Sequence, residues 1–276
     1  QWLRVDLEEN AIAGTLAYGF LVDLQRDAYG GKYLYNGTIK PLAPGYGLDG
    51  KLALRSTDAA ALAAALGVPS AALPSGVLVL DSTVTAKDGA IAFPDIDGRL
   101  GEGRITGSLA LDAARNVTGS IETGALALSD VLAAAFLDWK GEAPGLDSSF
   151  MTALPFGLTG EVWITPRSLA VHEQLIAGEV QIGITAARAE IRLALRGKDP
   201  LSRDIHVELV SAGEGAVRKI SGRMTIPVEL ASQMRLAGGE PVAEGQGMLE
   251  LGFTSEGRSP GGALATLGRR QAAWRP

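Results

Sequence analysis

Apolar and polar residues alternate with a period of two along most of this chain. In Gly103 to Leu111, Ile105, Leu109 and Leu111 share one side with Gly107, while Arg104, Thr106 and Ser108 take the other. Val180, Ile182, Ile184 and Ala186 oppose Glu179, Gln181 and Thr185. Ile191, Leu193 and Leu195 oppose Glu190 and Arg192. Ile205, Val207 and Leu209 alternate with His206 and Glu208, and Leu249, Leu251 and Phe253 with Glu250 and Thr254. Period two with a single apolar side predicts strands buried on one face only. The intervening Asp88-Gly89 and Asp97-Gly98 pairs are expected to be tight turns, as antiparallel hairpins require.

Four short helices are expected among the strands. Ser56 is placed to cap one over 57–66 that Gly67 closes, and Ser129 one over 129–138. Pro227 opens a third over 228–236 at the first-turn position that proline tolerates, and Ser259-Pro260 a fourth over 260–267. Their unequal spacing excludes a fixed solenoid period. What recurs is a unit of several strands followed by one short helix, so the chain reads as one continuous β-rich fragment over 1–276. Lys140 to Asp147 is the linker candidate between approximate halves 1–140 and 148–276.

Composition narrows the function classes. Glycine supplies 36 of the 276 residues, well above the usual share of about 7%. Glycine is expected at bulges, turns and close backbone approaches. With 31 acidic against 25 basic residues the net charge is −6, which argues against a nucleic-acid partner. Without cysteine there is no disulfide, thiolate metal site or thiol nucleophile. Ala59 to Leu80 is uncharged and long enough to span a bilayer, but Gly67, Pro69, Pro74 and Gly76 break it.

Each catalytic or cofactor motif fails on a physical requirement. Gly257-Arg-Ser-Pro-Gly261 matches a nucleophile elbow. Yet the residue after the serine must offer a backbone N–H to an oxyanion, and Pro260 has none. Gly45, Gly47 and Gly50 match a dinucleotide fingerprint, but Lys51 to Arg55 alternates like a strand where a helix is needed. His172-Glu173 begins a zinc-protease motif that Ile176 interrupts, and the second histidine is His206. Asp95-Ile-Asp97-Gly98 lacks the other ligands of a calcium loop and is expected to be a turn. Nothing singles out two of the carboxylates as a glycosidase pair. The expectation is a non-enzymatic chain with no cofactor and no metal.

The C-terminal run Gly245-Gln-Gly-Met-Leu-Glu-Leu-Gly-Phe-Thr-Ser-Glu-Gly-Arg-Ser-Pro-Gly-Gly-Ala-Leu-Ala-Thr-Leu-Gly268 resembles the AsmA-like family of bacterial envelope proteins. There a strand leads through a Ser-Pro turn into a short helix. Leu48-Asp49-Gly50 with its following strand and helix, Asp97 to Leu109, and Gly222 to Leu230 are similar to other steps of the same grammar. The resemblance implies a periplasmic chain tethered to the inner membrane through a segment absent here. It also implies a long curved antiparallel sheet with a groove-like apolar inner surface, no catalytic residues, and a role in phospholipid transport or outer-membrane assembly. Two departures stand beside it: no membrane helix precedes Gln1, and Arg269 to Pro276 replaces an expected strand. The chain is therefore expected to be a fragment.

The combined expectation is a mainly β fold, an elongated curved antiparallel sheet with a few short capping helices. Its apolar face would line a groove for phospholipid acyl chains through Ile105, Leu109, Leu111, Val162, Ile164, Ile182, Ile184, Ile191, Leu193, Leu249, Leu251 and Phe253. Other envelope proteins are the expected protein partners, and nucleic acid is not. Two other readings stay open: a closed structural or adhesin-like scaffold module without ligand, and a β-rich polysaccharide-active enzyme. Alternation alone does not distinguish an open face from a covered one.

Overall fold

The computed structural model describes residues 2–12, 15–28, 31–41, 46–59, 61–62, 76–137, 148–151, 157–171, 174–177, 180–199, 201–231 and 247–263. The fold is mainly β with few short helices, and the strand pairs within each unit are antiparallel. The chain divides into two compact units, Gln1–Thr123 and Gly124–Pro276. The division falls within a strand, and the linker candidate Lys140 to Asp147 lies outside the described residues.

In the first unit eight strands run side by side in chain order. They are β1 (Trp2–Ile12), β2 (Thr15–Ala28), β3 (Gly31–Pro41), β4 (Tyr46–Ser56), β5 (Leu78–Lys87), β6 (Ala90–Leu100), β7 (Gly103–Leu111) and β8 (Asn116–Ala127). Successive pairing of neighbours puts the alternating apolar residues in register. Ile39, Leu48, Ala86, Ile91, Leu111 and Val117 form one row across six strands. Phe93, Leu109 and Gly119 form the next, and Ile96, Gly107 and Ile121 the one after. The opposite face carries Lys51, Arg55, Arg104, Thr106 and Glu122, as period two demands.

Asp88 and Gly89 do make a tight turn, with φ of 54° and 81°, the left-handed pair that a type I′ hairpin needs. Asp97-Gly98 does not. Both residues lie within β6, where Asp97 pairs with Asp81 and Gly98 with Leu80, and the turn comes later at Gly101, with φ of 57°. The glycine serves a close approach instead: a Cβ on Gly98 would come 2.2 Å from the Val79 carbonyl oxygen. Asp95 is likewise no turn residue. It sits in a bulge between Phe93 and Ile96, where the register with β7 shifts. Its carboxylate accepts from the Thr83 N–H at 2.5 Å, from the Thr83 hydroxyl at 2.7 Å and from the Ser82 hydroxyl at 3.2 Å. The side chain thus replaces ladder bonds that the extra residue interrupts.

The second unit holds β9 (Thr159–Val171), β10 (Gln174–Ala177), β11 (Gln181–Ala187), β12 (Glu190–Lys198), β13 (Asp204–Ala212), β14 (Arg218–Pro227) and β15 (Met248–Gly257). Strands β10 and β11 pair consecutive stretches of β9, at Ser168–Val171 and Gly160–Ile164. From β11 onward each strand pairs with the next in chain order. Again the register gathers the apolar residues into rows. Ile164, Ile182, Leu195, Val207, Met224 and Leu251 make one. Val162, Ile184, Leu193, Leu209, Gly222 and Phe253 make its neighbour.

The helices depart from expectation in detail. Helix α1 (Leu128–Phe136) starts at Ala127 with no side-chain cap, and Ser129 lies inside its first turn. Tertiary packing of Val131, Ala135 and Phe136 holds it where a cap is missing. Near residue 58 the cap is Asp58, whose carboxylate accepts from the Ala61 N–H at 3.0 Å, while Ser56 ends β4. Pro227 closes β14, one residue before helix α2 (Val228–Ala231). Ser259 caps as expected, accepting from the Gly262 N–H at 3.2 Å. The C-terminal parts of the first, third and fourth expected helices lie outside the described residues.

Candidate functional site

The candidate site is the apolar face of each unit, and the two faces differ in how they are covered. In the second unit Ile182 and Leu193 are 0% exposed, and Ile191 and Leu195 are also buried. Helix α1 lies on β9 and β12. Its Val131, Ala135 and Phe136 join Leu137, Phe150, Met151, Leu169, Val180 and Ala263 in one cluster with those strand residues. Two backbone bonds fix this cover: Met151 donates to the Phe136 carbonyl at 2.7 Å, and Phe150 to the Arg258 carbonyl at 2.9 Å. Val162, Ile164, Ile184, Leu249, Leu251 and Phe253 are half-buried, and Ile164, Ile184 and Leu249 pack against the cluster.

In the first unit Ile105, Leu109 and Leu111 are half-buried, as are Leu52, Leu54, Leu80, Ile91, Phe93 and Ile121 around them. Within this face the small cluster is centred on buried Tyr35 and Val84, with Ile39, Leu52, Ile91 and Phe93 packed against it. A helical turn covers one end, where Leu62 is buried and its Cδ1 would lie 3.1 Å from a Cβ on Gly31. The sequence pattern missed Tyr35, Ile91 and Phe93. The register shifts in β5 and β6 and the glycine at 37 interrupt the alternation that would have shown them.

Arg218 also lies on the apolar side of the second unit, in register with Gly257, and is 0% exposed. Its guanidinium donates to the Ser211 hydroxyl at 3.1 Å, to the Ser211 carbonyl at 2.9 Å, to the Ala189 carbonyl at 3.2 Å and to the Gly213 carbonyl. Burial pulls its pKa below the usual arginine range. Carbonyl oxygens stand where a carboxylate partner is usual, so the side chain ties the ends of β12, β13 and β14 together.

The polar faces carry ion pairs. Arg55 grips Asp81 through one nitrogen at 2.7 and 2.8 Å, Arg104 meets Asp97 at 3.1 Å, and Arg192 bridges Glu190 and Glu208 at 3.0 Å each. Arg196 stands 6.0 Å from the Trp163 ring centre. These exposed pairs contribute little individually. A shallow depression of about 500 Å³ opens beside Glu208, Ser221, Arg223, Gly252 and Thr254.

The rejected motifs have simple structural places. Gly47 and Gly50 lie within β4, and the Gly257 to Gly261 stretch is a strand end running into a capped helical turn. His206 sits on β13 opposite Arg196 and Thr225, while His172 and Glu173 lie outside the described residues. Among the described residues no group of three or more His, Asp or Glu side chains is placed to hold a metal ion. Among them, too, no helix is long and apolar enough to cross a membrane. Comparison of the chain with protein-family models, with curated proteins and with solved structures returns no match.

Proposed function

We propose that this chain is a non-enzymatic periplasmic segment of an AsmA-like envelope protein, tethered to the inner membrane elsewhere in the full-length protein. Its apolar β face would carry phospholipid acyl chains in support of outer-membrane assembly. The observation that carries the reading is the first unit's apolar face. There the row from Ile39 to Val117 crosses six strands in register and stays half-buried. An apolar surface of that kind calls for a cover, and acyl chains supply one. Each methylene removed from water is worth about 0.8 kcal/mol, so affinity accumulates along a chain without any polar contact. Such a face selects for tail length rather than headgroup, and a lipid bound this way slides with little barrier.

One observation favours the closed scaffold reading for the second unit. Ile182, Ile191 and Leu193 are buried beneath α1, so their role there is packing. The acyl-chain assignment accordingly rests on Ile105, Leu109 and Leu111.

The test is solvent extraction of the purified chain, with mass spectrometry of whatever lipid it carries. The same measurement is made on the combined Ile105→Asn, Leu109→Asn, Leu111→Asn variant after circular dichroism has established that it folds. Co-purifying phospholipid that falls by more than half in the variant supports the reading. An empty wild type, or a folded variant that carries as much lipid, leaves the closed module as the function.

A further inference from the structure

On β2 the side that sets Phe20, Val22 and Leu24 against β3 carries Arg26 next. In register Arg26 stands opposite Tyr33, and the row continues through Leu54, Leu80 and Gly98 to Ile105. A cation is thus placed beside a tyrosine in a row that is otherwise apolar. Tyr33 supplies the second observation. Its hydroxyl is shut away from water and, among the described residues, has no hydrogen-bond partner. Native proteins pair the large majority of their buried polar atoms, since an unpaired one forfeits its hydration for nothing. Tyr35, on the same side of β3, finds its partner in the Thr38 carbonyl. Leu62 of the helical turn lies beside the Tyr33 ring: a Cβ on Gly31 would meet Leu62 Cδ1 at 3.1 Å and Tyr33 Cε2 at 3.4 Å.

A phenol donates a hydrogen bond, and a guanidinium donates several and carries a permanent positive charge, so an oxyanion satisfies both groups. The chain as a whole has a net charge of −6, which repels anions, so any preference for one has to come from a local site. Length agrees as well. From Tyr33 to Ile39 the face extends about 20 Å along β3, at roughly 3.3 Å per residue. The tails of one lipid leaflet span about 15 Å, half of a bilayer core of roughly 30 Å. A head held at Tyr33 therefore leaves room for its tails to lie along the face as far as the row of Ile39. We propose that Tyr33 and Arg26 form the headgroup end of the first unit's apolar face and take the phosphate oxyanion of a phospholipid. This rests on the acyl-chain reading of that face and gives it a polarity: the apolar rows are indifferent to the head, and this end is not. The Tyr33 hydroxyl donates to a phosphate oxygen, Arg26 supplies the opposite charge, and Leu62 is displaced as the head enters.

The test reloads the delipidated whole chain from an equimolar mixture of dioleoylphosphatidylglycerol and dioleoylglycerol, which share their tails and differ in the phosphate-bearing head. Native mass spectrometry reads the ratio of the two adducts. The expected ratio favours phosphatidylglycerol by about tenfold, the worth of one charge-assisted hydrogen bond. In Tyr33→Phe and in Arg26→Gln that preference falls by about threefold or more. Tyr33→Phe melts no lower than wild type, because the lost hydroxyl bonds nothing in the protein, whereas a hydroxyl that held the fold together would lower the melting temperature. The proposal is overturned by equal loading of the two lipids, by an unchanged ratio in the variants, or by a lower melting temperature of Tyr33→Phe. An excess of inorganic phosphate that erases the preference assigns the site to the free ion instead. If neither lipid loads, the acyl-chain reading itself fails. Loading of both without preference leaves that reading standing and removes only the headgroup site.

Discussion

Gly37 and Gly50 face each other across β3 and β4 so closely that a Cβ on Gly37 would lie 2.4 Å from the Gly50 Cα. A Cβ on Gly50 would lie 2.6 Å from the Gly37 Cα, and Tyr35 fills the space the two glycines leave. Its hydroxyl would stand 2.7 Å from the Gly37 Cβ and its Cε2 3.0 Å from that of Gly50. The obstructing atoms are largely backbone, so neither strand can give way by a side-chain rotation. Gly37→Ala and Gly50→Ala are each expected to destabilise by about 1–3 kcal/mol, the range for overpacking a filled site. Urea unfolding monitored by fluorescence checks this, and the same substitution at Gly215, which has nothing within 4 Å, is the control.

The Tyr35 hydroxyl donates to the Thr38 carbonyl at 3.0 Å, and burial pushes its pKa above the ordinary tyrosine value. The folded state therefore holds this proton more tightly than the unfolded state does. The associated stability is complete below the unfolded tyrosine pKa of about 10 and is lost as pH rises through the folded value. Alkaline unfolding of wild type is expected to steepen above that point. In Tyr35→Phe that pH dependence is expected to be shallower, at the cost of about 1 kcal/mol at neutral pH for the lost hydrogen bond.

Leu193 and Leu109 stand on apolar faces with different covers, and truncation separates them. Leu193→Ala opens a cavity beneath α1 and is expected to cost about 2–5 kcal/mol. Leu109→Ala, on the half-buried face, is expected to cost markedly less while reducing any co-purified lipid. Equal destabilisation of the two variants would count against the contrast between the faces.

Arg218 holds three carbonyls and one hydroxyl, of which the Ser211 carbonyl and hydroxyl are buried. Arg218→Met keeps the volume but takes the guanidinium from those two buried acceptors, each such loss costing about 1–3 kcal/mol. The expected result is a loss of several kcal/mol in chemical denaturation, with faster amide exchange around residues 211–218.

Asp199 and Arg203 link the β12–β13 loop to α2, with Arg203 donating to Asp199 at 2.7 Å and to Glu229 at 3.1 Å. Burial works against the charged Asp199 carboxylate. Hydrogen bonds from the backbone and side chain of Arg203, with the charge of Arg203, outweigh it and hold the pKa below the usual carboxylate range. A depressed folded pKa means stability that is present above the unfolded value of about 3.9 and lost as pH falls through the folded value. Acid unfolding of Asp199→Asn is expected to be shallower than that of wild type, with a lower melting temperature at neutral pH.

The sequence alone determined the secondary structure class and, in the regularly alternating strands, which residues share the apolar face, because period two is a local property that survives any arrangement of strands. Gly103 to Leu111 was legible residue for residue for that reason, and so was the Asp88-Gly89 turn, whose left-handed backbone these residue types favour. Ser259-Pro260 likewise declared a helix start through its own side-chain chemistry. Only the tertiary structure decided where the apolar faces are covered. Cover depends on α1 and on residues 148–151, which come from outside the strands they bury and leave no mark on their alternation. The same distinction explains Gly98, where a close approach to β5 took a glycine that looked like a turn. It explains Ser129 as well, which packing moved inside the helix it was expected to cap. Long-range contact set the burial of Leu193 against the half-burial of Leu109, although the two residues have the same side chain and neighbours of the same alternating kind.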